Sequence, residues 1–84
     1  MTREEVLQRI RDHLATELEV EPARIGEGAR FKEDLETDSL DLVELEVELE
    51  DSYGIRIPDE EGAKILTVGQ AADFVATHAA GIEH

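Results

Sequence analysis

Ser39-Leu40-Asp41-Leu42-Val43-Glu44-Leu45-Glu46-Val47-Glu48-Leu49-Glu50-Asp51-Ser52-Tyr53 is the stretch on which the fold turns. From Val43 to Glu50, apolar and acidic residues alternate with period two, the pattern of a half-buried strand. Composition and punctuation oppose that reading. Glu favours helices and is depleted in strands. Asp38 and Asp41 form an N-terminal cap pattern, and Gly54 stands where a helix should stop. We therefore read a helix from Asp38 or Ser39 to about Tyr53. At about 100° per residue, Leu42, Leu45, Leu49 and Tyr53 gather into one arc, the core face. Leu40, Val43 and Val47 form a second, narrower apolar stripe. It is flanked by Asp41, Glu44, Glu48 and Asp51 on one side and Glu50 on the other. An apolar stripe with an acidic rim has the anatomy of a protein-binding surface. The plainer alternative is packing beneath the preceding loop.

Outward from this helix, Val6, Leu7, Ile10, Leu14 and Leu18 recur at helical spacing, which predicts a first helix over about Thr2 to Leu18. Thr2 and Glu5 can form its capping box. Pro22 and Gly26-Glu27-Gly28 mark a long loop in which Ile25, Phe31 and Leu35 serve as anchors to the core. Ile55-Arg56-Ile57-Pro58 reads as extended, and Pro58-Asp59-Glu60-Glu61 can open a short helix carrying Ile65, weakened by Gly62. Thr67 and Gln70 cap a last helix whose buried face is Val68, Ala71, Ala72, Val75 and Ala79. The expected fold is all-α: an antiparallel bundle of three longer helices plus one short helix.

Composition narrows the function classes. With 84 residues there is room for one small domain, packed mainly by aliphatic side chains because aromatics make up only 4%. The chain has no cysteine, so neither disulfides nor Cys-ligated zinc supports the core, which fits a reducing compartment. No apolar run approaches the length of a signal peptide or membrane span, so we expect a cytoplasmic protein with no membrane insertion. The net charge of −14 argues against nucleic acid and anionic membranes and favours basic protein partners. The alternative is that the acids only keep the domain soluble.

Ser39 is the candidate site. Ten of the 22 acids fall between Glu33 and Asp51 with no Lys or Arg among them, which places Ser39 in strongly negative surroundings. A nucleophilic enzyme serine needs a base and positive potential, and Ser39 has neither nearby in sequence. It stands at a helix amino-terminus flanked by carboxylates that a basic protein can grip. We read it as a serine acted upon by another protein: a modification site, not a catalyst. Ser52, the only other serine, lies late in the same helix.

The chain resembles the acyl carrier proteins, in their free-standing form, over about residues 3–79. The resemblance rests on Phe31-Lys32-Glu33-Asp34-Leu35, Asp38-Ser39-Leu40-Asp41 and Val43-Glu44-Leu45. It continues through Ile57-Pro58-Asp59-Glu60-Glu61, Lys64-Ile65 and Thr67-Val68. It implies a single carrier domain over residues 1–84, acting as a monomer. It also implies a 4′-phosphopantetheine arm, transferred from coenzyme A to Ser39 by a phosphopantetheinyl transferase. The arm's thiol would carry acyl groups as thioesters, first of all in fatty acid biosynthesis, with polyketide synthesis as the runner-up. A phosphate on Ser39 would meet the free N–H groups of a helix amino-terminus. The chain lacks a thiol of its own, so the arm must supply it. Partners would be the transferase, acyltransferases, ketosynthases and other enzymes with basic patches. They would dock on Asp38, Leu40, Asp41, Val43, Glu44, Val47, Glu48 and Asp51. No catalytic residue and no metal is expected.

Three departures stand out. Glu36 occupies a position that is usually Gly in the family, two residues ahead of Asp38-Ser39-Leu40. Glu46 takes a place that is commonly apolar and faces the acyl cavity. Burying an unpaired carboxylate is costly, so Glu46 is expected to turn outward. Val47 replaces a frequent Met.

Other classes fit less well. A calcium loop through Asp34, Glu36 and Asp38 has Ser39 at the turn-glycine position and Leu45 in place of the closing acid. A serine hydrolase would need a base, and Ser39 lacks the Gly-x-Ser-x-Gly elbow. His13 reads as a surface or boundary residue and His84 as a terminal remnant. An unmodified acidic adaptor using the same stripe is the serious competitor.

Overall fold

Thr2 opens the first helix by accepting a hydrogen bond from the Glu5 N–H at 3.3 Å, the Thr2 half of the expected box. In the computed structural model, which describes residues 2–79, helix α1 spans Arg3–Leu18. A 3-10 turn follows at Pro22–Arg24, then α2 at Ser39–Tyr53, the one-turn α3 at Asp59–Gly62 and α4 at Val68–His78. His84 lies outside the described residues. Among those described, no helix is long and apolar enough to cross a membrane.

The alternating stretch is helical because both of its ends are fixed. Asp38 Oδ1 accepts from the Asp41 N–H at 2.9 Å, and Asp41 Oδ2 accepts from the Asp38 N–H at 3.3 Å, a closed capping box. At the other end Gly54 adopts φ 64° and its N–H closes on the Glu50 carbonyl, the left-handed stop that glycine takes without a Cβ penalty. Glu50 also accepts from the Ile57 N–H at 2.8 Å, pinning the extended segment that follows. Thr67 and Gln70 close the expected box on α4.

The core lies where α1 meets α4 and α2. Val6, Leu7, Ile10 and Leu14 of α1 meet Leu45 and Leu49 of α2 and Val68, Ala71, Ala72 and Val75 of α4. Ile25, Phe31 and Ile57 complete it from the loops, while Leu35, Leu42, Tyr53 and Ile65 pack against it half-buried. The short helix is one turn long and ends before Ile65, so that residue reaches the core from the following turn, not from the helix as expected. Gly62 at the end of α3 and the absence of a side-chain cap are consistent with so short an element.

The long loop is held by bonds between distant parts of the chain. The Phe31 N–H donates to the Leu66 carbonyl at 3.0 Å, Val68 N–H to Ala29 at 3.1 Å, and Gly69 N–H to Glu27 at 2.7 Å. A Cβ on Gly69 would stand 3.0 Å from the Glu27 carbonyl oxygen, a tight contact that glycine avoids. Arg3 fastens the same corner, donating to Asp73 Oδ1 at 2.7 Å and pairing with Glu27.

Candidate functional site

Ser39 is the first residue of α2 and is exposed. The Asp38 side chain satisfies the third amide of the helix, while those of Ser39 and Leu40 point outward along the axis as helix geometry requires. Among the described residues, no side chain forms a hydrogen bond to Ser39 Oγ. With no base bonded to it among the described residues, the arrangement suits a hydroxyl modified in trans. A phosphate on Oγ would lie against the positive end of α2, which fits a phosphodiester-linked arm.

The loop ahead of Ser39 is fixed by a residue that sequence reasoning missed. Thr37 is buried, and its Oγ1 donates to the Phe31 carbonyl at 2.6 Å, to which its own N–H also donates at 2.9 Å. Phe31 is itself in the core, so Ser39 is held two residues from an anchored point. A hydroxyl in a polar loop gives no sequence signal that it will be buried. One step earlier, Glu36 has φ 55°, in the left-handed region. The backbone keeps a glycine-like conformation at the position where the family usually has glycine.

The expected partner stripe is open: Leu40 is 64% exposed, Val43 51% and Val47 48%. They do not pack under the loop. Leu66, 60% exposed, is a further open apolar residue that helical periodicity could not flag because it lies outside any helix. The acids of the rim differ in how free they are. Asp38 and Asp41 are engaged in capping. Glu48 lies 3.6 Å from Arg9 and accepts from Ser52 Oγ at 3.1 Å. Asp51 and Glu44 are exposed. Carboxylate oxygens of Glu44, Glu17 and Asp41 lie within 4.8 Å of one another. The Glu17 charge, followed by partial desolvation, holds the Glu44 carboxyl above the usual carboxylate range, while His13 opposes the shift.

A groove of about 270 Å³ is lined by Phe31, Leu42, Ile65 and Leu66 together with Arg30, Lys32 and Glu33. Leu42 is the residue of α2 that stands one turn from Ser39. Phe31, Leu42 and Ile65 also wall a deeper void of only about 30 Å³, which Leu45, Leu49, Gly62, Ala71 and Glu46 complete. Here the structure corrects the expectation that Glu46 turns outward. Its side chain is half-buried and lies over Gly62, with Oε1 2.7 Å from where a Cβ on Gly62 would stand. Burial pushes the Glu46 carboxyl up, and the charges of Glu50 and Asp59 add to the shift.

Comparison with known proteins agrees with this geometry. Residues 8–75 match the family model described as phosphopantetheine attachment site. The chain is 53% identical to the acyl carrier protein of Rubrobacter xylanophilus, over 93% of this chain and 96% of that one. It is 44% identical to the acyl carrier protein of Lactobacillus acidophilus, over 93% and 98% of the two chains. Its fold superposes on a solved structure of the acyl carrier protein from Enterococcus faecalis with a TM-score of 0.81. That alignment has 38% identity and covers 94% of this chain and all of the other. An exposed serine on a capped helix and an anchored loop before it thus occur in a chain that belongs to the acyl carrier proteins, the family defined by its phosphopantetheine attachment site.

Proposed function

We propose that Ser39 is the residue that bears the 4′-phosphopantetheine arm, and that residues 1–84 act as one carrier domain in fatty acid biosynthesis in the cytoplasm. The observation that carries this reading is the position of Ser39: exposed, first in α2, and free of side-chain hydrogen bonds among the described residues. Its Oγ attacks the pantetheine-side phosphorus of coenzyme A, the pyrophosphate P–O bond breaks to release adenosine 3′,5′-bisphosphate, and a base of the separate transferase takes the serine proton, so the carrier contributes only position and charge. The transferase, acyltransferases and ketosynthases dock through basic patches on the α2 surface. Leu40, Val43 and Val47 provide its apolar centre, and Asp38, Asp41, Glu44, Glu48 and Asp51 its negative rim.

The test is mass spectrometry after incubation with coenzyme A, Mg²⁺ and a broad-specificity phosphopantetheinyl transferase. The chain is expected to gain the mass of a single arm. Ser39→Ala is expected to gain none while keeping the helical circular dichroism of the parent. Loading of the Ala variant would overturn the assignment of Ser39, and an unmodified parent chain would favour an adaptor role.

A further inference from the structure

The deep void and the groove share a wall formed by Phe31, Leu42 and Ile65, yet differ about ninefold in size, at about 30 and 270 Å³. A void of about 30 Å³ is on the scale of a single water molecule, too small for more than the tip of an acyl chain. Leu45, Leu49 and Ala71, which also line it, are buried aliphatic residues that would suit hydrocarbon. The one charged group on the wall is Glu46. Gly62 contributes no side chain, and the Glu46 carboxylate takes up the space that a Cβ would claim, at 2.7 Å.

We propose that Glu46, resting over Gly62, closes the interior to hydrocarbon and restricts this carrier to sheltering short acyl chains in the outer groove. This rests on the carrier reading of Ser39 and deepens it by naming the residue that sets which cargo is protected. A longer saturated chain has to pass beneath the carboxylate to reach Leu45 and Leu49. There it strips water from a charge that already has Glu50 and Asp59 acting against it and to which no described residue donates a hydrogen bond. Dehydrating a charge without a compensating donor is strongly unfavourable. The distal carbons of a longer chain therefore stay on the surface, beside the exposed Leu66 at the groove, where a partner enzyme reaches them without first drawing the chain out.

The experiment loads Ser39 with butyryl, octanoyl or dodecanoyl pantetheine arms in the parent chain, Glu46→Gln and Glu46→Ala, each species verified by mass. Tm relative to the unacylated carrier and the rate of thioester cleavage by hydroxylamine are then measured. In the parent, octanoyl and dodecanoyl thioesters are expected to be cleaved as fast as each other and to leave Tm unchanged. In Glu46→Ala, which removes both charge and bulk, the octanoyl thioester is expected to be cleaved about fivefold more slowly and Tm to rise on acylation. Glu46→Gln keeps the shape and is expected to fall between them, so a folding defect in the Ala variant does not decide the matter. Butyryl cleavage is expected to be the same in all three. A parent chain that protects octanoyl as well as Glu46→Ala does overturns the proposal while leaving the carrier reading intact. Failure to load Ser39 at all overturns the carrier reading, and this proposal with it.

Discussion

At the scale of single residues, the site loop holds a conformation that its sequence does not favour. Glu36 sits at φ 55° and Glu19, just after α1, at φ 56°. Left-handed backbone brings an L-residue's Cβ too close to the following carbonyl, a cost of about 1–2 kcal/mol that glycine escapes. Glycine in turn loses more freedom on folding, which returns roughly 0.5–1 kcal/mol. Glu36→Gly is therefore expected to stabilise the fold by up to about 1 kcal/mol. In a domain of this size that raises Tm by roughly 4–8 °C. Thermal melts followed by circular dichroism check it, with Glu36→Ala as the control that removes the charge and keeps the Cβ. An equal gain from Glu36→Ala would assign the cost to charge and not to backbone conformation. The sequence departure at Glu36 was visible at once, but its meaning was not. Only the observed φ shows that Glu36 takes the left-handed conformation that glycine adopts most readily.

At the scale of elements, α2 carries most of what the sequence made legible and some of what it hid. Its boundaries, its core arc and its open stripe followed from caps and helical period, because each depends on residues close in the chain. Two features did not follow. The loop is tied to the start of α4 through backbone bonds such as Phe31 to Leu66, which leave no trace in side-chain pattern. The approach of Glu17 on α1 to Glu44 on α2 depends on how the two helices pack. That approach has a pH signature. The Glu44 carboxyl is held above its ordinary value, first by the Glu17 charge, so the folded state binds this proton more tightly than the unfolded chain does. Its contribution to stability is present at low pH and is lost as pH rises from the ordinary carboxylate value through the raised one. Glu44→Gln removes the loss. Its Tm is expected to exceed that of the parent at neutral pH, and the gap to close as pH falls below the carboxylate range. A gap that is constant with pH would mean that Gln acts through helix propensity or packing and not through relief of repulsion.

At the scale of the whole molecule, the net charge of −14 acts within a body whose radius of gyration is 11.6 Å. That radius is close to the Debye length of about 10 Å at 0.1 M salt, so ionic strength decides whether charges interact across the whole fold or only with neighbours. Part of the positive charge is already committed internally: Arg3 to Glu27 and Asp73, Arg9 to Glu48, Arg30 to Asp34 and Lys64 to Glu61. The surplus of acids is densest along α2, where Glu44, Glu48 and Asp51 recur at three- and four-residue spacing. Raising NaCl from about 10 mM to about 1 M shortens the Debye length from ~30 to ~3 Å. It is therefore expected to raise Tm by relieving self-repulsion. The same change is expected to slow loading by the transferase, because attraction to a basic patch steers the encounter and salt screens it. Stability and docking rate thus respond to salt with opposite signs. Reversing Glu44 and Glu48 to Lys separates the two effects further: the fold is expected to become less dependent on salt, while loading slows at low salt and loses most of its salt sensitivity. Glu48→Lys also sets a second cation beside Arg9, so Glu44→Lys alone is the cleaner probe of docking. If the loading rate is indifferent to salt and to both reversals while Tm still climbs, the acids of α2 serve solubility alone, and partner recognition rests on Leu40, Val43 and Val47.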